Sequence, residues 1–155
     1  MIKTLIEQFS RFEFVILNTT RVDIAMGLDM YLTAKRNLEE GLPVAEMDPV
    51  AKVDAVILEI GFWRKSHHIH RWFVNNVQKN IDNCAIYHVS REKLMSLKKV
   101  CHVVIKCRHL AEEMLPSYDN KFDETYFKNI LHTINVIKTC LSLPYYWEFY
   151  YEANW

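Results

Sequence analysis

Glycine is scarce in this chain: Gly27, Gly41 and Gly61 are the only three among 155 residues, and proline occurs four times. A glycine-rich phosphate cradle cannot be built from so few, and neither G-x-G-x-x-G, G-x-x-x-x-G-K-[ST] nor G-x-S-x-G occurs. The same scarcity argues against disorder, collagen-like repeats and flexible linkers. Long apolar runs are missing too. The longest are Phe14–Leu17 and Ala55–Leu58, whereas a membrane-spanning helix needs roughly 20 such residues. Lys3, Glu7, Arg11 and Glu13 interrupt the start, so no secretory signal is expected. Cys84, Cys101, Cys107 and Cys140 form no C-x-x-C pair and no disulfide-like spacing, which suits a reducing cytoplasm. Net charge is zero.

What is abundant is core material. Half the residues are hydrophobic and 13% are aromatic, and a domain of this length buries about 68–70% of its unfolded surface. One α+β domain over residues 26–155 is expected, with a small sheet of three to four strands against about three helices. Residues 1–25 have mixed periodicity and read as an N-terminal extension or as lying upstream of a start at Met26. Leu28, Met30 and Leu32 alternate with Asp29, Tyr31 and Thr33, the signature of a half-buried strand. Residues 36–50 show no repeating apolar pattern and are expected to be an acidic connection. Asp48-Pro49 could cap a helix, but Val53, Ala55 and Ile57 also alternate, so strand and helix both stand for 52–60. Trp63, His67, His70, Val74 and Val77 have helical spacing, with Phe62, Ile69 and Phe73 alongside. Residues 84–89 read as a short strand. Ser90 caps a helix running to Leu115-Pro116, with Leu94, Leu97, Cys101, Val104 and Ala111 on its apolar face. Asp123 or Thr125 caps another, carrying Phe127, Ile130, Ile134, Ile137 and Leu141. After Pro144 the chain is aromatic and extended. Irregular alternation of strands and helices favours α+β over a doubly wound sheet.

Three features could carry chemistry. His67 and His70 share a helix face and could form half of a metal site, although no acid lies in that helix and H-E-x-x-H is absent. The plainer reading puts both at a core boundary with their ring nitrogens hydrogen-bonded, and His68 in solvent. Residues 64–108 hold ten Lys and Arg against only Asp82 and Glu92, an excess of eight positive charges balanced by the rest of the chain. Arg64, Lys65, Arg71, Lys98, Lys99 and Lys106 could therefore grip a phosphate backbone or an acidic protein. The plainer reading is internal pairing with the acidic segments. Seven aromatics crowd residues 145–155. Strand alternation puts Tyr145, Trp147, Phe149 and Tyr151 in the core, and Glu148 and Glu152 on the other face, where they would repel a phosphate backbone. Cys84 and His88 lie too far apart on a strand for one to activate the other. No catalytic residue, metal or cofactor is expected, and the apolar helix faces should close on a common sheet without leaving a furnished cavity.

MGLDMYL at 26–32, EIGFWRKSHHIHRWFVNNVQ at 59–78, YHVSREKL at 87–94 and EFYYEANW at 148–155 together resemble a family of small bacteriophage and prophage proteins. Its members typically begin MGLDMYL and carry a GYWRKANAIHKWFV-like segment. The resemblance spans about 130 residues and implies a setting, the phage-infected bacterial cytoplasm, more than an activity. His67 and His68 depart from the family pattern, which places small or amide residues there. The expected function is an accessory protein, non-enzymatic, that binds a host or phage protein through Arg64, Lys65, His67, His70, Arg71, Lys98, Lys99 and Lys106. Nucleic-acid binding through the 64–108 segment and metal-assisted hydrolysis by His67 and His70 are the alternatives.

Overall fold

Leu28, Met30, Leu32 and Ala34 are buried while Asp29, Tyr31, Thr33 and Lys35 between them are half-exposed. This period-two pattern sets one side of strand β1 (Asp29–Pro43) against a core. The computed structural model describes residues 27–43 and 52–155; the expectations for residues 1–25, the start at Met26 and the Asp48-Pro49 cap lie outside them. From β1 the chain continues through β2 (Lys52–Arg64), helix α1 (His67–Asn76), β3 (Tyr87–Val89), helix α2 (Arg91–Lys106), a short 3-10 turn (Arg108–Leu110), helix α3 (Ala111–Met114), helix α4 (Glu124–Ser142) and β4 (Glu148–Asn154). The four strands form one sheet in the order β2-β1-β4-β3, every pair antiparallel. The fold is α+β.

The ambiguity over 52–60 resolves as strand, because those residues pair with β1. Contrary to expectation, residues 36–43 are strand rather than connection. β4 pairs with β1 only as far as Lys35, so beyond that point β1 has β2 alone as its described neighbour. Apolar alternation marks a strand with one covered face, and Arg36 and Asn37 offer no apolar side chain to such a face. Trp63 belongs to β2, not to a helix. The strand ends where Lys65 takes a left-handed conformation (φ 55°), and the Ser66 carbonyl then accepts from the amides of Ile69 and His70 to begin α1.

The Ser90 cap is present, its hydroxyl accepting from the Lys93 amide at 3.3 Å, and Asp123 rather than Thr125 caps α4 by accepting from the Tyr126 amide at 2.9 Å. Leu94, Leu97, Cys101 and Val104 bury one stripe of α2, each contributing about 1–3 kcal/mol of transfer free energy. That helix stops at Lys106 instead of reaching Leu115. The break at Cys107 turns Arg108 onto the Phe127 ring, 4.3 Å from its centroid, while Ala111 and Leu115 still reach the core. α4 buries Phe127, Ile130, Ile134 and Ile137 as the spacing predicts; Leu141 is only half-buried. Between β2 and α4 the Trp63 indole donates to the Thr133 hydroxyl at 2.9 Å. Gly61 lies under Val136, where a Cβ would come within 2.6 Å of a Val136 methyl. The β3 strand is shorter than expected. Trp147 just before β4, and Phe149 and Tyr151 within it, are core residues, but Tyr145 is 89% exposed because the turn closed by Trp147 on Pro144 precedes the strand. No helix among the described residues is long and apolar enough to cross a membrane.

Candidate functional site

A polar cleft of about 290 Å³ lies along α1 and is bordered by His67, His70, Arg71, Asp82 and Tyr118. α1 supplies the imidazoles, but its inward face is not the one that the spacing suggested. His68, Ile69, His70, Trp72 and Phe73 are buried, and His67 is exposed. His68, expected in solvent, instead lies against Tyr126 with ring centroids 4.3 Å apart. Burial there pushes its imidazole down to about 4, with the neighbouring His67 adding to the effect. The physical reason is the helix start. Beginning at His67 rather than Trp63, α1 buries residues 68–70 and 72–73, with His68 against Tyr126 of α4 and Phe73 against Tyr151 of β4.

His70 is the hub. Its Nε2 lies 3.0 Å from the Asp82 carboxylate and its Nδ1 lies 2.7 Å from the Tyr151 hydroxyl. A carboxylate can only accept, so Nε2–H donates to Asp82 and, in the neutral ring, Nδ1 accepts from Tyr151. The chain reversal that brings Asp82 back is built by Lys79 and Asn80, both left-handed at φ 54° and 63°, with the Asn80 amide donating to the Val74 carbonyl at 2.9 Å. Tyr151 is fully buried, stacked on Phe73 at 3.9 Å, and burial raises its hydroxyl's pKa. Sequence reasoning missed both partners, since one lies six residues past the helix and the other on the last strand. The turn-forming Asn80 was the available signal for Asp82.

On the far wall, Asp119 accepts from the Ser117 hydroxyl at 2.8 Å and from the Lys121 amide at 3.2 Å, which fixes the loop that carries Tyr118. Those two bonds also hold the Asp119 carboxyl below its usual range. Tyr118 lies 5.5 Å from the His67 ring. Partial burial and the neighbouring His70 lower the His67 pKa, against the pull of Asp119. Two imidazoles, those of His67 and His70, and the Asp82 carboxylate thus border one open cleft. Its chemistry is limited all the same. Both nitrogens of His70 are committed, so neither can take a proton from a substrate without breaking the bridge. Among the described residues no group of three His, Cys, Asp or Glu could hold a metal ion.

The basic residues separate into two groups. Arg64, Lys65, His67, His70 and Arg71 surround the start of α1. Arg64 is ion-paired with Asp29 at 3.7 Å. Lys98, Lys99 and Lys106 lie on α2, and no described hydrogen bond, ring contact or ion pair joins the two groups. Pairing with the acidic residues of 1–25 and 39–50 lies outside the described side chains. Of the ten bases in 64–108, only Arg64 has a described carboxylate within 4.0 Å; the remaining Lys pairs, Lys121–Asp119 and Lys128–Glu124, lie outside that segment. Arg91 and Arg108 serve the fold. Arg91 donates to the carbonyls of Leu143 and Pro144 at 2.9 and 2.6 Å and lies over Phe149, and Arg108 covers Phe127. On the outer side of α2, Met95 and Val103 are exposed by 44% and 36%, in the same stripe as Lys99, His102 and Lys106. Positions four, seven, eight and eleven after Met95 fall on one helix face.

The chain matches no family model, no curated protein and no solved structure.

Proposed function

We propose that this is a non-enzymatic accessory protein of a bacteriophage or prophage, working in the host cytoplasm by binding a host or phage protein. The observation that carries the reading is the outer face of α2, where Lys98, Lys99 and Lys106 have no described carboxylate partner and flank exposed Met95 and Val103. Exposed apolar groups flanked by cations with no described carboxylate partner suit an acidic protein surface with an apolar centre, since opposite charge steers encounter while apolar contact supplies affinity. The cleft at His70 supports the non-enzymatic part, because its imidazole is tied on both sides. The phage setting rests on the resemblance of residues 26–32, 59–78, 87–94 and 148–155.

Affinity purification from phage-infected cells tests the proposal, comparing the wild-type chain with a Lys98→Glu, Lys99→Glu, Lys106→Glu variant of unchanged circular dichroism. A protein retained by wild type after nuclease treatment and lost from the variant is the expected result. Equal retention by both removes α2 as the binding face. Loss of all retention on nuclease treatment, with elution from heparin that falls steeply with salt, would replace the proposal with the nucleic-acid reading.

A further inference from the structure

The two edges of the sheet differ sharply. β3 is three residues long, one of the usual ways a protein blunts an edge. β2, at the other edge of the described sheet, runs for thirteen residues and contains the uninterrupted apolar sequence Ala55-Val56-Ile57-Leu58. A long apolar edge of this kind is a template for another strand.

The register says which backbone groups it offers. The Lys65 amide donates inward to the Leu28 carbonyl at 2.7 Å, whereas the Phe62 carbonyl points off the sheet and takes a hydrogen bond from His132 at 2.9 Å. Phe62 opposes Tyr31. Residues Thr33, Lys35 and Asn37 continue the same alternation on β1, and their partners are Glu59, Ile57 and Ala55. In an antiparallel pair, successive residues bond alternately to one side and the other. Ala55, Ile57 and Glu59 therefore direct their N–H and C=O groups away from β1, as Phe62 does. The shift between Leu32 and Thr33 absorbs Ile60 and keeps that alternation in step. No described group covers these three.

We propose that a second copy of this chain covers the β2 edge, joining two four-stranded sheets antiparallel across a two-fold axis at Ile57. The strand is complementary to itself in that register. Ile57, 60% exposed on the side away from the helices, meets Ile57 of the second copy. Val56 faces Leu58 and Ala55 faces Glu59, so no two like charges oppose each other. A two-fold axis supplies antiparallel pairing between identical strands without further adjustment, and the exchanged backbone bonds satisfy the outward groups of Ala55, Ile57 and Glu59 in both copies. This interface does not depend on the α2 face, which belongs to another layer of the molecule.

Sedimentation of the full chain tests it, with Ile57→Pro and Ile57→Lys as variants. The proline removes only an N–H that points off the edge, so it spares the bonds to β1, and edge positions tolerate such a proline. Wild type should sediment at twice the chain mass and both variants at the chain mass. A wild-type monomer at about 100 μM, or a dimer that both variants preserve, overturns the proposal; at that concentration an interface of even about 10 μM affinity would be mostly occupied. If either variant unfolds, cysteine cross-linking decides. In a Cys84→Ser background, Ile57→Cys should oxidise to a covalent dimer, because directly opposed, hydrogen-bonded residues have Cα atoms about 5.5 Å apart, within disulfide reach. Asp54→Cys should not. Equal cross-linking at both positions, or none at Ile57→Cys, refutes the two-fold register.

Discussion

His68 should make the protein lose stability in mild acid, and a phenylalanine in its place should abolish that loss. The imidazole is 6% exposed, its Nε2 has no hydrogen-bond partner among the described residues, and the ring beside it, Tyr126, stays neutral because burial raises its hydroxyl's pKa. Nothing there welcomes a proton, and the group falls from its ordinary 6.5 to about 4. The unfolded chain therefore binds a proton at His68 at higher pH than the folded one does. Stability from this residue is complete above about 6.5, declines as pH falls, and is fully lost only below about 4. At about 1.4 kcal/mol for each pH unit between those values, the whole effect is about 3 kcal/mol, of which about 2 kcal/mol is gone at pH ~5. His68→Phe keeps the ring contact with Tyr126 and removes the unpartnered nitrogen. Urea unfolding of both proteins at pH ~7.5 and pH ~5 is the assay. The remaining titrating groups are common to both, so the difference between their two losses isolates His68. Equal losses in wild type and variant would refute the reasoning.

Gly61→Ala forces a Cβ to within 2.6 Å of Val136 and 2.8 Å of the Trp63 ring; overpacking of this kind costs about 1–3 kcal/mol, and a Val136→Ala partner mutation should return part of it in a urea melt. Tyr151→Phe leaves His70 Nδ1 without its 2.7 Å partner in the interior and should cost about 1–3 kcal/mol, with Asp82→Asn costing less because that side of the bridge is half in solvent. Arg91→Ala unpairs the carbonyls of Leu143 and Pro144 after α4 and should lower stability by about 1.5–3 kcal/mol, whereas Lys99→Ala should stay within about 0.5 kcal/mol; thermal melts of the two variants side by side check the contrast.

The sequence announced elements wherever one face alone is buried. Leu28, Met30 and Leu32 gave β1 its period of two, and Phe127 to Ile137 gave α4 its period of three and four, because each stripe meets one core. Where burial has no such one-sided form the pattern is silent. Residues 36–43 pair with β2 only at Arg36, Asn37, Leu42 and Pro43, across a register shift, and their sequence carries no apolar alternation, so they looked like a connection. Trp63 and His67 share helical spacing by coincidence; a left-handed Lys65 separates strand from helix between them. That conformation is rare for lysine and leaves no mark in composition. The His70 bridge was half legible. His70 could be singled out, but Asp82 and Tyr151 reach it only through a turn and a strand pairing that tertiary structure creates.

Charge was legible as a sum and illegible as a surface. Four arginines lie in the basic segment, and the fold engages three: Arg64 with Asp29, Arg91 on two carbonyls, Arg108 on an aromatic ring. Only Arg71 remains at the cleft. The cations left on α2 are lysines, which act as hydrated point charges and lack the planar fork that reads phosphates and bases in two bonds at once. Arg64 and Arg108 stay exposed and Arg91 half-buried, so the fold engages these forks at the surface without removing them from it, while Met95 and Val103 offer apolar contact beside the α2 lysines. The same sorting explains why a count of ten bases against two acids overstated the segment as a single patch. Packing spent part of that charge on holding helix ends and aromatic rings in place, and divided the rest between α1 and α2.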